Sequence, residues 1–423
     1  MPLRSEWKLG REGFTFDTVL RLIQCTVLNP YLTFAILAAF RYTSRGHPLL
    51  LAHPKKHVAL RALFALGVLD RLRRFLDDGV LNNWTSDKYD WEKEVVVVTG
   101  GSDGIGKCVV LLMAERGIKV VVLDVRELTY EAPPTVRYVY CDLGSHESIA
   151  SATSEAAAAF GAAPTIFINN AGIGGHAGNV LSQPSKPPTA GDKDAASSSS
   201  SSSSPPSCVP DAPGDATAFA PSNVRAVFAV NALSHYALHR AFVPAMAAAN
   251  HGMVVTVASV AAYIAAPGMN PYSASKAAAL ALHETLHADL AVSTHPRADR
   301  VRTVAVLQGY VRTELFRGFD EGDGFLAYAL EKETVAEAVV RAVLRGRSAH
   351  VVLPVGTGTY SSWVRAMPSW MQYGVRKSAG MAKLMQGYRG RMVEQPSEAG
   401  MVGGGEQVED SKVFVERGDE KEE

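Results

Sequence analysis

The chain has 423 residues, and its 42 Lys and Arg residues balance its 42 Asp and Glu residues, so the formal net charge is zero. Nucleic-acid binders normally carry a basic excess, so this balance argues against a nucleic-acid partner. The four cysteines are scattered and none forms a CxxC pair, which argues against a disulfide scaffold and a structural zinc site. We therefore expect no bound metal. The length fits one large α/β unit with appendages, or two modest domains.

The sequence divides into regions of different character. Residues 1–91 are apolar and basic, residues 92–354 alternate between strand and helix patterns, and residues 355–393 form an amphipathic extension with tryptophan and arginine. Residues 394–423 are acidic, and residues 174–218 are rich in Pro and Gly and contain eight consecutive serines. Such segments bury too little apolar surface to fold, so we predict a disordered tail and a disordered insertion.

The N-terminal region is predicted to attach the protein to a membrane. The run from Leu22 to Phe40 carries no charge and has about the length needed to cross a bilayer, although Asn29-Pro30 lies within it. Basic residues follow the run, which predicts that the rest of the chain faces the cytosol. The amphipathic stretch from His57 to Phe75 suits a membrane surface. The alternative is a helical cap packed on the main domain.

Residues 92–354 predict a doubly wound, Rossmann-type parallel sheet of about seven strands. The apolar runs are continuous in Val and Ile, which is typical of strands covered on both faces, and helical segments separate most of them. The predicted strands begin at Val95, Lys119, Val136, Pro164, Gly252, Val301 and Ala349.

A glycine-rich turn, TGGSDGIG from Thr99 to Gly106, follows the first strand and opens a helix. Glycines let the backbone turn tightly and approach a pyrophosphate, which the helix N-terminus then stabilises through its free N–H groups. The turn therefore predicts a dinucleotide cofactor. Its predicted contacts are Gly100, Ser102, Gly104, Ile105 and Gly106.

Two acidic residues at strand ends refine the cofactor prediction. Asp124 ends the second strand, where a carboxylate accepts hydrogen bonds from the adenosine ribose and repels a 2′-phosphate. This favours NAD, while Arg126 keeps NADP as an alternative because it could pair with that phosphate. Asp142 ends the third strand and either bonds the adenine amino group or caps the helix that begins near Ser145.

The glycine-rich turn and three further motifs carry a family resemblance. The glycine-rich turn, Asn169-Asn170-Ala171-Gly172, Ser259 and Tyr272-x-x-x-Lys276 together resemble the short-chain dehydrogenase/reductase family over about Val95 to Pro354. The Tyr-x-x-x-Lys spacing also occurs at Tyr89, Tyr328 and Tyr373. Only Tyr272 lies thirteen residues after a serine that ends a buried strand, and it begins an Ala-rich helix that places Tyr272 and Lys276 on one face.

These residues suit acid–base chemistry coupled to hydride transfer. A phenol with a pKa near 10 becomes a useful base only when positive charge nearby favours the phenolate, and Lys276 supplies that charge. Tyr272 would exchange a proton with an alcohol or carbonyl oxygen, which Ser259 would stabilise. The resemblance implies that Lys276 holds the nicotinamide ribose and that Asn231 positions a water for a proton relay.

The resemblance also implies further cofactor contacts: Asn170, Gly172, Val311 and Thr313. Gln308-Gly309 stands where the family usually has Pro-Gly, which relaxes that turn. The segment after Thr313 is expected to bind substrate and is apolar. Its large side chains are Leu315, Phe316, Phe319, Phe325, Leu326 and Tyr328.

The apolar N-terminal segment extends the resemblance to the branch of retinol and 17-beta-hydroxysteroid dehydrogenases. This implies NAD(P)-linked interconversion of an alcohol and a carbonyl on a lipophilic small molecule: a steroid, a retinoid or a long-chain lipid. The expected location is the endoplasmic reticulum or a lipid-droplet surface with the catalytic domain in the cytosol, and a homodimer is compatible with the sequence. The alternatives are a non-catalytic NAD(P)-binding scaffold at a lipid surface and a soluble reductase of small carbonyls.

Overall fold

A computed structural model describes residues 3–5, 9–174, 221–265, 268–316, 324–325 and 328–378. Almost all of the predicted insertion, the predicted acidic tail, and the substrate-segment residues Phe319 and Leu326 lie outside these residues. The described part contains the whole predicted sheet.

Seven parallel strands form one sheet in the order β3-β2-β1-β4-β5-β6-β7. The strands are β1 (Val95–Thr99), β2 (Lys119–Asp124), β3 (Val136–Tyr140), β4 (Ile166–Asn169), β5 (Met253–Ser259), β6 (Arg302–Gln308) and β7 (Ala349–Leu353). The order reverses between β1 and β4, as in a Rossmann-type fold, and the predicted fold class is confirmed.

Helices cover both faces of the sheet. The helices are α1 (Phe16–Cys25), α2 (Pro30–Tyr42), α3 (Gly46–Ala52), α4 (Pro54–Leu81), α5 (Gly104–Ala114), α6 (His146–Ala158), α7 (Pro221–Phe228), α8 (Ser234–Ala249), α9 (Asn270–Val292), α10 (Lys332–Leu344), α11 (Val355–Ala366) and α12 (Ser369–Ser378). Val96 and Val98 of β1 face a core shared with α5 and α10. Val95 and Val97 face the opposite core, which α6 and α8 complete. Because neighbouring strand residues point to opposite faces, a run of valines is what a sheet covered on both sides requires.

The helix predicted from Asn223 to Met246 consists of three pieces. A single π-helical turn, Ala229–Leu233, separates α7 from α8. A π turn accommodates one extra residue, and it carries the buried Asn231. The chain therefore remains helical through this segment, and the extra residue changes the direction in which the Asn231 side chain points.

The apolar run from Leu22 to Phe40 is not one helix. It is split between α1 and α2, and the axes of these two helices differ by 46°. Pro30 cannot continue a helix from the preceding turn, and Asn29 caps α2 by accepting a hydrogen bond from the Tyr31 amide at 3.0 Å. Within the described residues no single helix is long and apolar enough to cross a bilayer, and this bent pair is the one combination that meets the length and composition criteria.

The N-terminal helical region contacts the sheet domain at its beginning, through α1, and at its end, after α4. The Asp17 carboxylate of α1 accepts hydrogen bonds from the first two amides of α11, Val355 at 2.6 Å and Gly356 at 2.8 Å. After α4, the Asn82 carbonyl accepts a hydrogen bond from the buried Arg302 at 3.0 Å. Much of α4 between these anchors exposes apolar side chains. The exposed residues include Leu66, Leu69, Leu72 and Phe75.

Candidate active site

A cavity with a volume of about 250 Å³ lies at the carboxyl ends of the strands. This is where open parallel sheets bind their ligands. Ten of the predicted residues line it: Gly100, Gly104, Ile105, Asp124, Asp142, Asn170, Gly172, Tyr272, Lys276 and Thr313. The other five predicted residues are not among the lining residues: Ser102, Gly106, Asn231, Ser259 and Val311.

The glycine-rich turn adopts a conformation that side chains would disturb. Gly100 and Gly104 have φ angles of +67° and +62°, in the left-handed region that favours glycine. At Gly106 the limit is space, since a Cβ there would collide with the Gly100 carbonyl oxygen and crowd the Asn170 amide. The turn delivers the N-terminus of α5 to the cavity, where its free N–H groups favour an anion.

Thr99 and Asn170 hold this turn in place. The Thr99 hydroxyl accepts hydrogen bonds from the Asn170 and Ala171 amides at 3.0 and 3.1 Å. The Asn170 side-chain amide donates to the carbonyl oxygens of Thr99 and Gly100, each at 3.0 Å. Sequence reasoning did not assign a role to Thr99, although its position directly before the first glycine was a usable signal.

Asp124 is fixed at the edge of the cavity by two backbone amides. Its carboxylate accepts hydrogen bonds from Ser102 N at 3.0 Å and from Arg126 N at 3.1 Å. The Ser102 hydroxyl donates to the Arg126 carbonyl at 2.7 Å, so Ser102 supports the loop from behind. The Arg126 guanidinium lies 3.9 Å from the Asp103 carboxylate and is part exposed.

Asp142 lines the cavity and does not cap the helix after it. Ser145 is the N-cap of α6, and its hydroxyl accepts a hydrogen bond from the Ser148 amide at 3.3 Å. One Asp142 carboxylate oxygen accepts a hydrogen bond from the Gly144 amide at 2.8 Å. The helix-cap alternative for Asp142 is therefore wrong.

Tyr272 and Lys276 lie one turn apart on α9 and are both buried. The Lys276 ammonium is 5.9 Å from the centroid of the Tyr272 ring and donates a hydrogen bond to the Val257 carbonyl at 3.0 Å. Burial lowers the pKa of Lys276 to about 8. The Tyr272 ring packs edge-on against Phe316 at 5.7 Å between centroids. The other three Tyr-x-x-x-Lys pairs do not line this cavity.

Ser259 ends β5 beside the cavity. Its hydroxyl donates to the Gln308 carbonyl at 3.1 Å and accepts from the Ala261 amide at 3.1 Å. Gln308, the residue that replaces the family's usual proline, lines the cavity and pairs with Ser259 in the sheet register.

Asn231 braces two segments of the site from behind. Its side chain accepts a hydrogen bond from Ile173 N and donates to Ile173 O, both at 2.9 Å. It also donates to the Ser275 hydroxyl at 3.0 Å, which in turn donates to the Tyr272 carbonyl at 2.8 Å. Ser275 was missed by sequence reasoning, although it lies three residues after Tyr272 and next to Lys276.

Val311 and Thr313 lie on the loop that follows β6. Val311 is buried and forms an isolated parallel bridge with Leu330, so the cavity receives Thr313 and not the valine side chain. Leu315 and Phe316 continue the lining and make that side of the cavity apolar. Phe325 lies farther out, where it stacks on Phe14 at 6.3 Å between centroids.

The residues of the cavity fit a nicotinamide dinucleotide. Gly106 allows the close approach of the Gly100 backbone. Gly172 leaves space beside Lys276, since a Cβ at Gly172 would stand 3.3 Å from the Lys276 ammonium nitrogen. The α5 N-terminus suits the pyrophosphate, Asp124 suits a ribose, and Tyr272 with Lys276 suits the nicotinamide end. All three parts line one cavity, as one dinucleotide requires.

Comparison with known proteins agrees with this geometry. The family model described as short chain dehydrogenase matches residues 94–186 and 211–324. Dehydrogenase RED2 of Cochliobolus heterostrophus is 33% identical over 253 residues, covering 58% of this chain and 78% of that protein. Human estradiol 17-beta-dehydrogenase 11 is 26% identical, with 59% and 72% covered, and human epidermal retinol dehydrogenase 2 is 26% identical, with 60% and 71% covered.

These relatives include the two enzyme types whose branch the sequence resembles, so that resemblance is confirmed. The predicted cofactor class is confirmed with it. The chain belongs to the short-chain dehydrogenase/reductase family and uses a nicotinamide dinucleotide, NAD or NADP.

Proposed function

We propose that this oxidoreductase interconverts an alcohol and its ketone or aldehyde on a lipophilic substrate, with Tyr272 as the general acid and base. The observation that carries the proposal is the position of Tyr272 and Lys276, which line one cavity together with the glycine-rich turn. Among four Tyr-x-x-x-Lys pairs in the sequence, this is the pair that meets the cofactor site.

The proton chemistry follows from the side chains. A bound nicotinamide ring accepts or supplies the hydride. During oxidation, the Tyr272 oxygen takes the alcohol proton as the carbonyl forms, and during reduction it returns a proton to the carbonyl oxygen. The Lys276 ammonium, 5.9 Å from the Tyr272 ring centroid, favours the ionised phenolate that this step needs.

Ser259 and Asn231 support the same step from either side. A hydroxyl rotor such as Ser259 can donate to the substrate oxygen and stabilise its developing charge, in exchange for its bond to Gln308. Asn231 hydrogen-bonds the Ile173 backbone and the Ser275 hydroxyl, and Ser275 bonds the Tyr272 carbonyl in the first turn of α9. Asn231 therefore positions Tyr272 and fixes the polar groups next to Lys276.

The substrate side of the cavity favours an apolar molecule. Val230, Leu315 and Phe316 line it, and Phe316 packs against the Tyr272 ring. Relatives of this chain carry the names of estradiol and retinol dehydrogenases. We infer a steroid, a retinoid or a long-chain lipid alcohol as the substrate class.

The expected cofactor preference is NAD. The Asp124 carboxylate faces the cavity and is held by two amides, so it can accept the ribose hydroxyls and would repel a 2′-phosphate. Asp142, with one oxygen on the Gly144 amide, is placed to accept from the adenine amino group.

The exposed apolar helices support attachment to a membrane or lipid-droplet surface. In addition to the residues of α4, α2 exposes Tyr31 and Phe34, and α11 and α12 expose Trp363 and Trp370. Aromatic side chains of this kind favour the bilayer interface. We therefore place the protein on the endoplasmic reticulum or a lipid droplet with the cavity in the cytosol.

The catalytic proposal is tested with full-length protein, estradiol and retinol as probes, and NAD⁺ and NADP⁺ as cofactors. Tyr272→Phe should lower turnover by about 100-fold or more, because general acid–base groups contribute factors of this size. Tyr373→Phe is the matched control, since that tyrosine belongs to an exposed Tyr-x-x-x-Lys pair on α12. Full activity of Tyr272→Phe would contradict the proposed mechanism, and an unaltered protein that is inactive on every alcohol would favour the scaffold alternative.

The membrane proposal has its own measurement. The double variant Trp363→Ser, Trp370→Ser should bind phosphatidylcholine vesicles more weakly in flotation, since two exposed interfacial anchors are lost. Tyr140→Ser is the control because Tyr140 is similarly exposed but lies on the edge strand β3. Unchanged flotation of the double variant, or no flotation of the unaltered protein, would contradict attachment through this face.

A further inference from the structure

A group of buried histidines lies behind Lys276, between the sheet and the helices α8 and α9. His235 and His239 project from α8 and His283 from α9. Asn169 of β4 and Thr256 of β5 face them, and all five residues are buried. The same face of the sheet is packed with apolar side chains at its other end. We call His235, His239, His283 and His350 the histidine row.

The row consists of two pairs of rings, which Asn169 and Thr256 connect because these two residues are partners in the β4–β5 register. The His235 and His239 rings are 6.2 Å apart between centroids, and His239 Nε2 lies 3.3 Å from the Asn169 amide nitrogen. His283 Nδ1 is 3.0 Å from the Thr256 hydroxyl. The His283 ring is 6.2 Å from that of His350 on β7, and His350 is exposed.

Helical spacing connects the other end of the row to the active site. Asn231, His235 and His239 recur every four residues, so they follow one face of the π turn and α8. Lys276 and His283 are seven residues apart on α9, which also places them on one face. Asn231, at the start of this face, lies beside Lys276, since a Cβ at Gly172 would stand 3.3 Å from Lys276 Nζ and 3.4 Å from Asn231 Oδ1. Burial, with the charge of Lys276 added to it, lowers the pKa of His235.

Three buried polar atoms of this region have no hydrogen-bond partner within the described part of the chain. They are Asn169 Oδ1, His235 Nδ1 and His283 Nε2. A buried polar atom left unsatisfied costs about 1–3 kcal/mol, so apolar residues would pack this core more favourably. Internal water molecules commonly satisfy such atoms, and water would join ring nitrogens that are too far apart to bond directly.

Burial keeps the rings of the row neutral. Burial lowers the pKa of His239 to about 4 and that of His283 to about 3. The other titratable groups that act on His283 are His239 on α8, His350 on β7 and His287 on its own helix. Within the described residues, Glu284 is the acidic group that acts on His350. A neutral imidazole has one donor and one acceptor nitrogen, so it can take a proton on one side and release one on the other.

We propose that the histidine row conducts protons between Lys276 and the solvent at His350, which makes it a second proton outlet of the proposed reaction beside the Asn231 water relay that the family resemblance implies. This inference rests on the proposed dehydrogenase function. For each alcohol oxidised, one hydride passes to the cofactor and the O–H proton passes to the Tyr272 oxygen. The Lys276 ammonium releases one proton into the row and, as the resulting amine, then takes the proton from the Tyr272 oxygen. At each transfer one N–H or O–H bond breaks as the next forms, and no other group is oxidised or reduced.

The test separates hydride transfer from proton release. Stopped-flow absorbance follows NADH formation from estradiol or retinol, and a pH-indicator dye in weakly buffered solution follows the proton. His283→Gln keeps a hydrogen bond to Thr256 but cannot relay protons, and it lies eleven residues from Tyr272, about 16 Å along α9. Proton release should slow by about tenfold and lag behind the first turnover of NADH, since a relay imidazole is lost. His146→Gln, an exposed histidine at the start of α6, is the control.

A second variant tests the exposed end of the row. His350→Ala should show the same lag, and imidazole added to the solution should remove it because the site is open to solvent. Coincident NADH formation and proton release in both variants would overturn the inference, as would a parallel loss of both rates that imidazole does not restore. If the unaltered protein forms no NADH from any alcohol, the proposed function fails first and this inference fails with it.

Discussion

The buried charge of Lys276 should lower the free energy of unfolding of the protein. Burial lowers the pKa of Lys276 from 10.5 to about 8, and this difference corresponds to about 3 kcal/mol against the charged form at about 1.4 kcal/mol per pH unit. Lys276→Met keeps a similar length without a charge. It loses the hydrogen bond to the Val257 carbonyl, which is worth about 1 kcal/mol. We expect the cofactor-free variant to be more stable by about 2 kcal/mol at neutral pH and inactive as a dehydrogenase.

The sign of the pH dependence makes this prediction specific. Below the folded pKa of about 8, both folded and unfolded chains carry the ammonium charge, and the folded state bears the full cost of burying it. Between about pH 8 and 10.5 the unfolded state binds more protons, so the stability of the unaltered protein rises with pH. The advantage of Lys276→Met should therefore shrink almost to zero near about pH 9.5, in urea unfolding followed by circular dichroism.

Lys377→Met is the matched control, because Lys377 belongs to the exposed Tyr373/Lys377 pair and should change stability little at either pH. A Lys276→Met variant that is less stable than the unaltered protein at neutral pH would refute the reasoning. So would a gain in stability that does not change with pH.

Three further predictions follow from the packing of the cofactor turn and of α9. Gly106→Ala should abolish measurable NAD⁺ binding in calorimetry because its Cβ meets the Gly100 carbonyl. Gly104→Ala has open space around its Cβ, so it should lower the free energy of unfolding by only about 1–2 kcal/mol, the cost of a left-handed backbone at alanine. Asp124→Ser should move the ratio of kcat/KM values from NAD⁺ toward NADP⁺ by about tenfold or more, since the repelling carboxylate is removed. Ser275→Ala should lower unfolding stability by about 1 kcal/mol in urea titration, because the link from Asn231 to α9 is broken.

The sheet and the cofactor turn could be predicted because their physical requirements appear directly in residue type. A strand covered on both faces needs apolar side chains at every position, and β1 is a run of four valines and a threonine. The turn needs glycine where φ is positive or where backbone segments touch, and Gly100 and Gly106 meet these needs. Four tyrosines have a lysine four residues later, and context selected Tyr272 because only Tyr272 follows a buried strand that ends in Ser259.

Features that depend on a local backbone choice could not be predicted in the same way. The π turn around Asn231 differs from an α-helix by one hydrogen-bond step, which leaves no trace in composition or apolar periodicity. The bend between α1 and α2 was signalled by Asn29-Pro30, but hydropathy alone favoured one continuous span. Histidine does not contribute to the apolar or charged patterns from which burial is predicted. The burial of His235 and His283 is therefore seen only in the structure, where α8 and α9 pack on the sheet.

The two halves of one sheet face show how this protein trades stability for chemistry. On β4, Phe167 belongs to the apolar core while Asn169, two residues later and on the same face, meets His239. On β5, Val254 is followed in the same way by Thr256, which meets His283. The change from apolar to polar occurs toward the carboxyl ends of the strands, where Lys276 is buried at a cost of about 3 kcal/mol. A chain selected only for stability would continue the apolar pattern, so the polar half of this face is the part that we expect the proposed proton chemistry to require.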